Sequence, residues 1–192
     1  MAQPLLEAVV PAPAAAGVGD GWQAFDECRA RVPASLVPWL AEPGLLTSRV
    51  RAACGAATRL RMLRLEPAPL DLALARRLGV DDATCLLREI EFTCGTRRWI
   101  FAQSVLPQST VRQHPWLREL GDRGLGESLN AVADVRREPL EFLELAASHP
   151  LALAAGAVES AAPLWARRAV YRLGGWPILV QEVFLPALGR SD

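Results

Sequence analysis

Two charged side chains interrupt stretches that otherwise read as buried strands. Arg88 lies within Cys85-Leu86-Leu87-Arg88-Glu89-Ile90-Glu91-Phe92, and Glu182 within Ile178-Leu179-Val180-Gln181-Glu182-Val183-Phe184-Leu185-Pro186. Side chains alternate between the two faces of a strand. Arg88 therefore shares a face with Leu86, Ile90 and Phe92, and Glu182 with Ile178, Val180 and Phe184. An unpaired charge on such a face is costly. Two readings follow with about equal weight: an ion bridge, to each other or to neighbours, or a functional pocket in which a guanidinium can anchor a planar carboxylate.

Other candidates carry less. Glu89 and Gln181, on the opposite faces, are expected to be solvated. The arginines alternating with Leu60 and Met62 in 57–65 suggest a solvated strand face. Trp165-Ala166-Arg167-Arg168 suits an anion clamp less well than an exposed basic strand start. Gly124-Leu125-Gly126 can turn backbone N–H groups toward a carboxylate, although a glycine pair alone most often marks a turn.

All 21 basic residues are arginine, and none is lysine. Imine-forming lyases, pyridoxal phosphate enzymes and P-loop nucleotidases each need a lysine amine at the reacting centre. Arginine stays protonated and offers a fork of donors instead of a nucleophile. Chemistry on this chain falls to carboxylates, arginines, hydroxyls, thiols or the two histidines. His114 and His149 each precede proline, which places them at turns or helix starts.

The 192 residues balance 21 acidic against 21 basic groups, and 51% are apolar. That suits one globular domain. Zero net charge argues against a nucleic-acid partner. The longest apolar run, 151–158, is far short of the ~20 residues a membrane span needs. With no basic n-region, and with Glu7 interrupting the apolar start, no secretory signal is expected. The chain reads as soluble and cytoplasmic. Four scattered cysteines, Cys28, Cys54, Cys85 and Cys94, are expected as reduced, mostly buried thiols. No convergent metal-ligand set is visible.

The elements that must position Arg88 and Glu182 follow from periodicity. Residues 1–20, rich in Ala, Pro and Gly, read as a mobile tail. Short helices are expected over 22–32, 35–41 and from 45 toward 54. The period then changes, with a strand over 57–65 and a helix over 70–78 closed by Gly79. Strands over 84–92 and 98–106 form a hairpin. Short helices follow over 115–120 and 125–132, then a strand over 137–146. Residues 147–162 are Ala/Leu-rich and carry no clear period. Strands over 167–173 and 176–185 flank Gly174-Gly175, the strongest hairpin signal in the sequence. Helices followed by sequential hairpins favour an antiparallel α+β domain over 21–192.

Five motifs in order resemble the chorismate pyruvate-lyase family: Leu87-Arg88-Glu89-Ile90, Leu106-Pro107-Gln108-Ser109-Thr110, Gly124-Leu125-Gly126, Leu164-Trp165-Ala166-Arg167-Arg168 and Glu182-Val183-Phe184-Leu185-Pro186-Ala187. The likeness runs from about Trp39 to Leu188. It implies a single antiparallel sheet with helices on one side and helical flaps over a buried ligand site. It also implies roles. Arg88 matches the family arginine at the ring carboxylate, Glu182 the glutamate at the ring hydroxyl, and Leu125 a residue whose backbone contacts ligand. Leu46 stands where the family pattern has a flap methionine, and Thr47 beside it agrees with the pattern. Residues 147–162 look like an insertion.

The implied activity is elimination of pyruvate from chorismate to give 4-hydroxybenzoate, the first committed step toward ubiquinone. Aromatisation makes it downhill without cofactor or metal, so the partners implied are the small-molecule substrate and product alone; nothing in the sequence demands a further partner, and a monomer is expected. Two alternatives stand beside it. One is a non-enzymatic small-anion or effector-binding domain of the same fold, which usually carries a DNA-binding module that the segment before Trp39 is too short and too poor in basic residues to supply. The other is a lyase acting on a related chorismate-derived ring.

Overall fold

A computed structural model describes residues 21–157 and 163–190. The expected tail over 1–20 and the end of the 147–162 segment lie outside the described residues. Seven strands form one antiparallel sheet: β1 (Thr58–Pro69), β2 (Thr84–Cys94), β3 (Arg97–Pro107), β4 (Val135–Arg137), β5 (Glu141–Leu145), β6 (Leu164–Leu173) and β7 (Trp176–Phe184). The order is β1-β2-β3-β7-β6-β4, and β5 also pairs with β6. The class is α+β, as the hairpin pattern implies; the helices begin with α1 (Phe25–Cys28), and α5 (Gln108–Gln113) follows β3.

Local chemistry fixes the connections. Gly174 and Gly175 both have positive φ, 55° and 96°, which a two-residue turn between twisted strands demands. Helix α4 (Leu72–Leu78) starts where the Asp71 carboxylate accepts from the Ala73 and Leu74 N–H groups, and it ends at left-handed Gly79. The strand expected over 137–146 is two strands, β4 and β5. Pro139 lies in the break between them and has no N–H to give a ladder.

One face of the sheet, with Ile90, Phe92, Ile100 and Ala102, packs against α2 (Val37–Leu40) and α3 (Leu46–Cys54). Further along that face Leu86, Leu106 and Ile178 meet α6 (Leu125–Asn130). Helical cover extends beyond one side: α4 packs on Leu87, Val105, Val170 and Leu179, and α7 (Pro150–Ala154) on Phe101, Ala166 and Val183, all on the opposite face.

This second layer corrects two expectations. Glu89 and Gln181 are buried rather than solvated, because they stand on the face under α4 and α7. Gln103 links them, donating to Glu89 Oε1 at 2.9 Å and accepting from Gln181 at 3.2 Å. Trp165-Ala166-Arg167-Arg168 is not an exposed strand start either. All four residues are buried, with Arg167 and Arg168 on opposite faces of β6. The arginine stripe is closer to expectation: Arg59 and Arg61 are exposed, and Arg61 reaches Glu91 at 2.6 Å.

Reduced thiols are corrected as well. Cys54 and Cys94 form a disulfide, with Cα atoms 5.7 Å apart. Cys54 ends α3, a single turn leads into β1, and Thr58 at the start of β1 pairs opposite Cys94. The strand register thus brings together two cysteines 40 residues apart in sequence. Cys28 and Cys85 are free and buried. Among the described residues no helix is long and apolar enough to cross a membrane.

Candidate functional site

The strand register places the candidates side by side. Arg88 pairs with Ser104, and Ser104 with Val180. Ala102 pairs with Glu182, and Glu182 with Arg167. Residues in register share a face, so Arg88, Ser104, Glu182 and Arg167 look out from one side of the sheet. A pocket opens there, over Ile90, Phe92, Ala102, Val180 and Tyr171. All four residues the resemblance singled out line it: Leu46, Arg88, Leu125 and Glu182. Thr47 lines it too.

Two flaps close the pocket. The first is the entry to α3, with Gly44, Leu45, Leu46 and Thr47; the second is the start of α6, with Gly124, Leu125, Gly126 and Leu129. Glycines in the second let the flaps approach closely. A Cβ on Gly126 would come within 2.9 Å of Leu45, and one on Gly124 within 3.1 Å of Thr47 Oγ1. Arg51 of α3 and Glu127 of α6 join the flaps by an ion pair. At the root of the first flap, the Glu42 carboxylate accepts from the Gly44 N–H and from Arg49, each at 2.9 Å. Those bonds hold its carboxyl below the usual range.

Arg88 is 1% exposed. Its Nη2 donates to the carbonyls of Gly121 at 2.9 Å and Arg123 at 2.7 Å, in the loop leading to α6. Nε and Nη1 are buried without a protein partner. Burial pulls its pKa down to about 10, against the opposing effect of nearby Asp122. A buried cation with two unpartnered donor atoms has the chemistry to bind an anion.

The ion bridge considered between Arg88 and Glu182 does not form. Glu182 Oε2 accepts instead from Arg167 Nε at 2.6 Å. Arg167 Nη1 in turn donates to the carbonyl of Glu42 at 2.7 Å, with those of Leu40 and Trp39 farther off. The pocket thus offers an open cation at one end and a pinned carboxylate at the other, on an apolar floor. Among the described residues no cluster of His, Cys, Asp or Glu could hold a metal ion.

The chorismate lyase family model matches residues 20–190. The chain belongs to that family. Its relatives agree. A probable chorismate pyruvate-lyase of Methylococcus capsulatus is 39% identical over 78% of this chain and 94% of its own length. One from Thiobacillus denitrificans is 38% identical over 90% of this chain and 92% of its own. These are carbon–oxygen lyases. Among solved structures, the effector domain of PhnF from Mycobacterium smegmatis aligns with a TM-score of 0.54 and 18% identity, covering 78% of this chain and 91% of that one. The ligand-binding domain of a putative GntR-family regulator from Bordetella bronchiseptica aligns at 0.51 and 20%, covering 68% and 87%. At such identity they share the fold alone.

Ser104 and Tyr171 also line the pocket though neither was expected there, and Arg167 is buried beside them and not at an exposed strand start. Ser104 was findable, since it stands two residues before the motif at 106–110 on a buried strand. Tyr171 has no local signal. Burial, then the charge of Glu182, raises the pKa of its hydroxyl, while Arg137 and Arg167 oppose.

Proposed function

We propose that the chain is a chorismate pyruvate-lyase, converting chorismate to 4-hydroxybenzoate and pyruvate, and that this product serves ubiquinone synthesis. The observation that carries the reading is Arg88, buried in the pocket with Nε and Nη1 unpartnered. The ring carboxylate of chorismate is the anion that fits it, since a guanidinium binds a planar carboxylate through directed, charge-assisted bonds. The ring then lies over Ile90, Ala102 and Val180, with its C4 hydroxyl toward Glu182. Leu125 opens α6, where the backbone N–H has no intrahelical acceptor and is free for the ligand. Leu46 covers the ring from the first flap.

The reaction needs little more. The C3–O bond breaks and its electrons leave with the enolpyruvate oxygen. The C4 proton departs and the C4–H electrons complete the aromatic ring. The enolate takes up a proton to become pyruvate. Aromatisation supplies the driving force, so the residues here orient the ring, exclude water and stabilise the departing charge. No cofactor, metal, nucleic acid or membrane is required. We take the working unit to be a cytoplasmic monomer.

Titration of the protein with 4-hydroxybenzoate tests this. Arg88→Ala should weaken binding by ~100-fold or more, because an anion would be left buried without its partner. Unchanged affinity would sink the assignment. The other reading, a non-catalytic effector domain of this fold, predicts binding without turnover.

A further inference from the structure

Arg167 performs two tasks with one guanidinium. It is 3% exposed and stands on β6 directly opposite Glu182. Nε holds Glu182 Oε2 at 2.6 Å, and Nη1 holds the Glu42 carbonyl at 2.7 Å. The Leu40 and Trp39 carbonyls lie at 3.3 and 3.4 Å. Trp39 and Leu40 end α2, and Glu42 follows two residues later, so one guanidinium nitrogen faces the carbonyls at the exit of that helix. Two residues beyond Glu42 the chain reaches Gly44 and then Leu46 and Thr47, which cover the pocket. A lysine ammonium in this place is a point charge without the fork that spans both partners.

We propose that Arg167 is a positioning residue that couples closure of the first flap to recognition of the ring hydroxyl. It occupies Glu182 Oε2 and so presents the other carboxylate oxygen to the hydroxyl, and it keeps that orientation because its far side is seated on the flap root. The proposal rests on the pocket being a 4-hydroxybenzoate site. It predicts a separation of effects. Anchoring of the carboxylate at Arg88 survives loss of Arg167, whereas hydroxyl discrimination and slow ligand release do not.

The test compares 4-hydroxybenzoate with benzoate by calorimetry and stopped flow. Arg167→Lys should cut the affinity ratio of the two ligands by about tenfold and speed release of 4-hydroxybenzoate by about tenfold, with benzoate affinity nearly unchanged. Glu182→Gln should cut the ratio and leave benzoate release at its normal rate. An Arg167→Lys protein that keeps both ratio and release rate overturns the proposal, as does one that weakens the two ligands equally.

Should Arg167→Lys fail to fold, the unmutated protein decides. The Arg167 Nε–H resonance should shift on adding 4-hydroxybenzoate and hold nearly still with benzoate. Equal response to both ligands overturns the coupling. If the unmutated protein binds neither ligand, the reading of the pocket falls and this proposal with it.

Discussion

Arg88 and Glu182 stand on the same face of the sheet, separated by β3, and do not pair. Glu182 is satisfied by Arg167, while Arg88 keeps two buried donor atoms unpartnered. The asymmetry supports the roles proposed for them. Two charges that neutralised each other would leave nothing for a dianionic substrate. Here the carboxylate is already balanced, and Arg88 is the cation with donor atoms to spare.

Glu182 can hold the ring hydroxyl or abstract the C4 proton. Positioning is the role expected, so Glu182→Gln should slow turnover of chorismate by about tenfold, the scale of one lost charge-assisted bond. General-base catalysis is worth ~10²–10⁴. A loss of a hundredfold or more in steady-state kcat would assign the proton transfer to Glu182.

The lowered pKa of Arg88 gives a pH dependence of definite sign. Burial disfavours its cation and brings the pKa to about 10. A bound carboxylate favours the cation and raises it again, so binding is linked to proton uptake above pH 10. Benzoate is the right probe, because it lacks a phenol that would itself titrate near ~10 as tyrosine does. Its affinity should be flat from about pH 6 to 9 and fall as pH rises through about 10. Affinity that holds steady through pH 11 would show that the Arg88 guanidinium stays protonated despite its burial.

Gly126 permits the flaps to meet. Alanine there would set a Cβ 2.9 Å from Leu45 Cδ2, yet it suits a helix better than glycine by up to ~1 kcal/mol. The two effects separate by measurement. Gly126→Ala should leave the Tm unchanged or slightly raised and speed the release of 4-hydroxybenzoate. A fall in Tm with normal release would mean that the contact supports the fold and not closure.

The Cys54–Cys94 bond ties the end of the flap helix α3 to β2. Cross-links of this kind contribute about 2–4 kcal/mol. Reduction should therefore lower the Tm by about 5–15 °C in a chain of this size. A variant with Cys54→Ser and Cys94→Ser should melt at the reduced temperature and ignore added reductant. In a cytoplasm that keeps thiols reduced the weaker form would prevail.

Much of the sheet was legible because its signals are local. β2, β3 and β7 alternate or run apolar between turn residues, and Gly174-Gly175 marks a turn that few other pairs can make. Arg88 and Glu182 stood out as charges on apolar faces. What escaped depends on distant packing. Glu89 and Gln181 are buried by α4 and α7, which no local pattern assigns to the far face of the sheet. Cys54 meets Cys94 only through the β1–β2 register. Arg167 read as an exposed strand start because its partners, Glu182 and the Glu42 carbonyl, lie 15 and 125 residues away.

The proposed reaction can be followed from substrate to both products. Purified protein is mixed with chorismate, and both products are followed, 4-hydroxybenzoate by absorbance and pyruvate by a coupled dehydrogenase. Equimolar release of the two, much reduced in Arg88→Ala, is the result predicted. Tight binding of 4-hydroxybenzoate with no consumption of chorismate would contradict it and leave the pocket as a binding site alone.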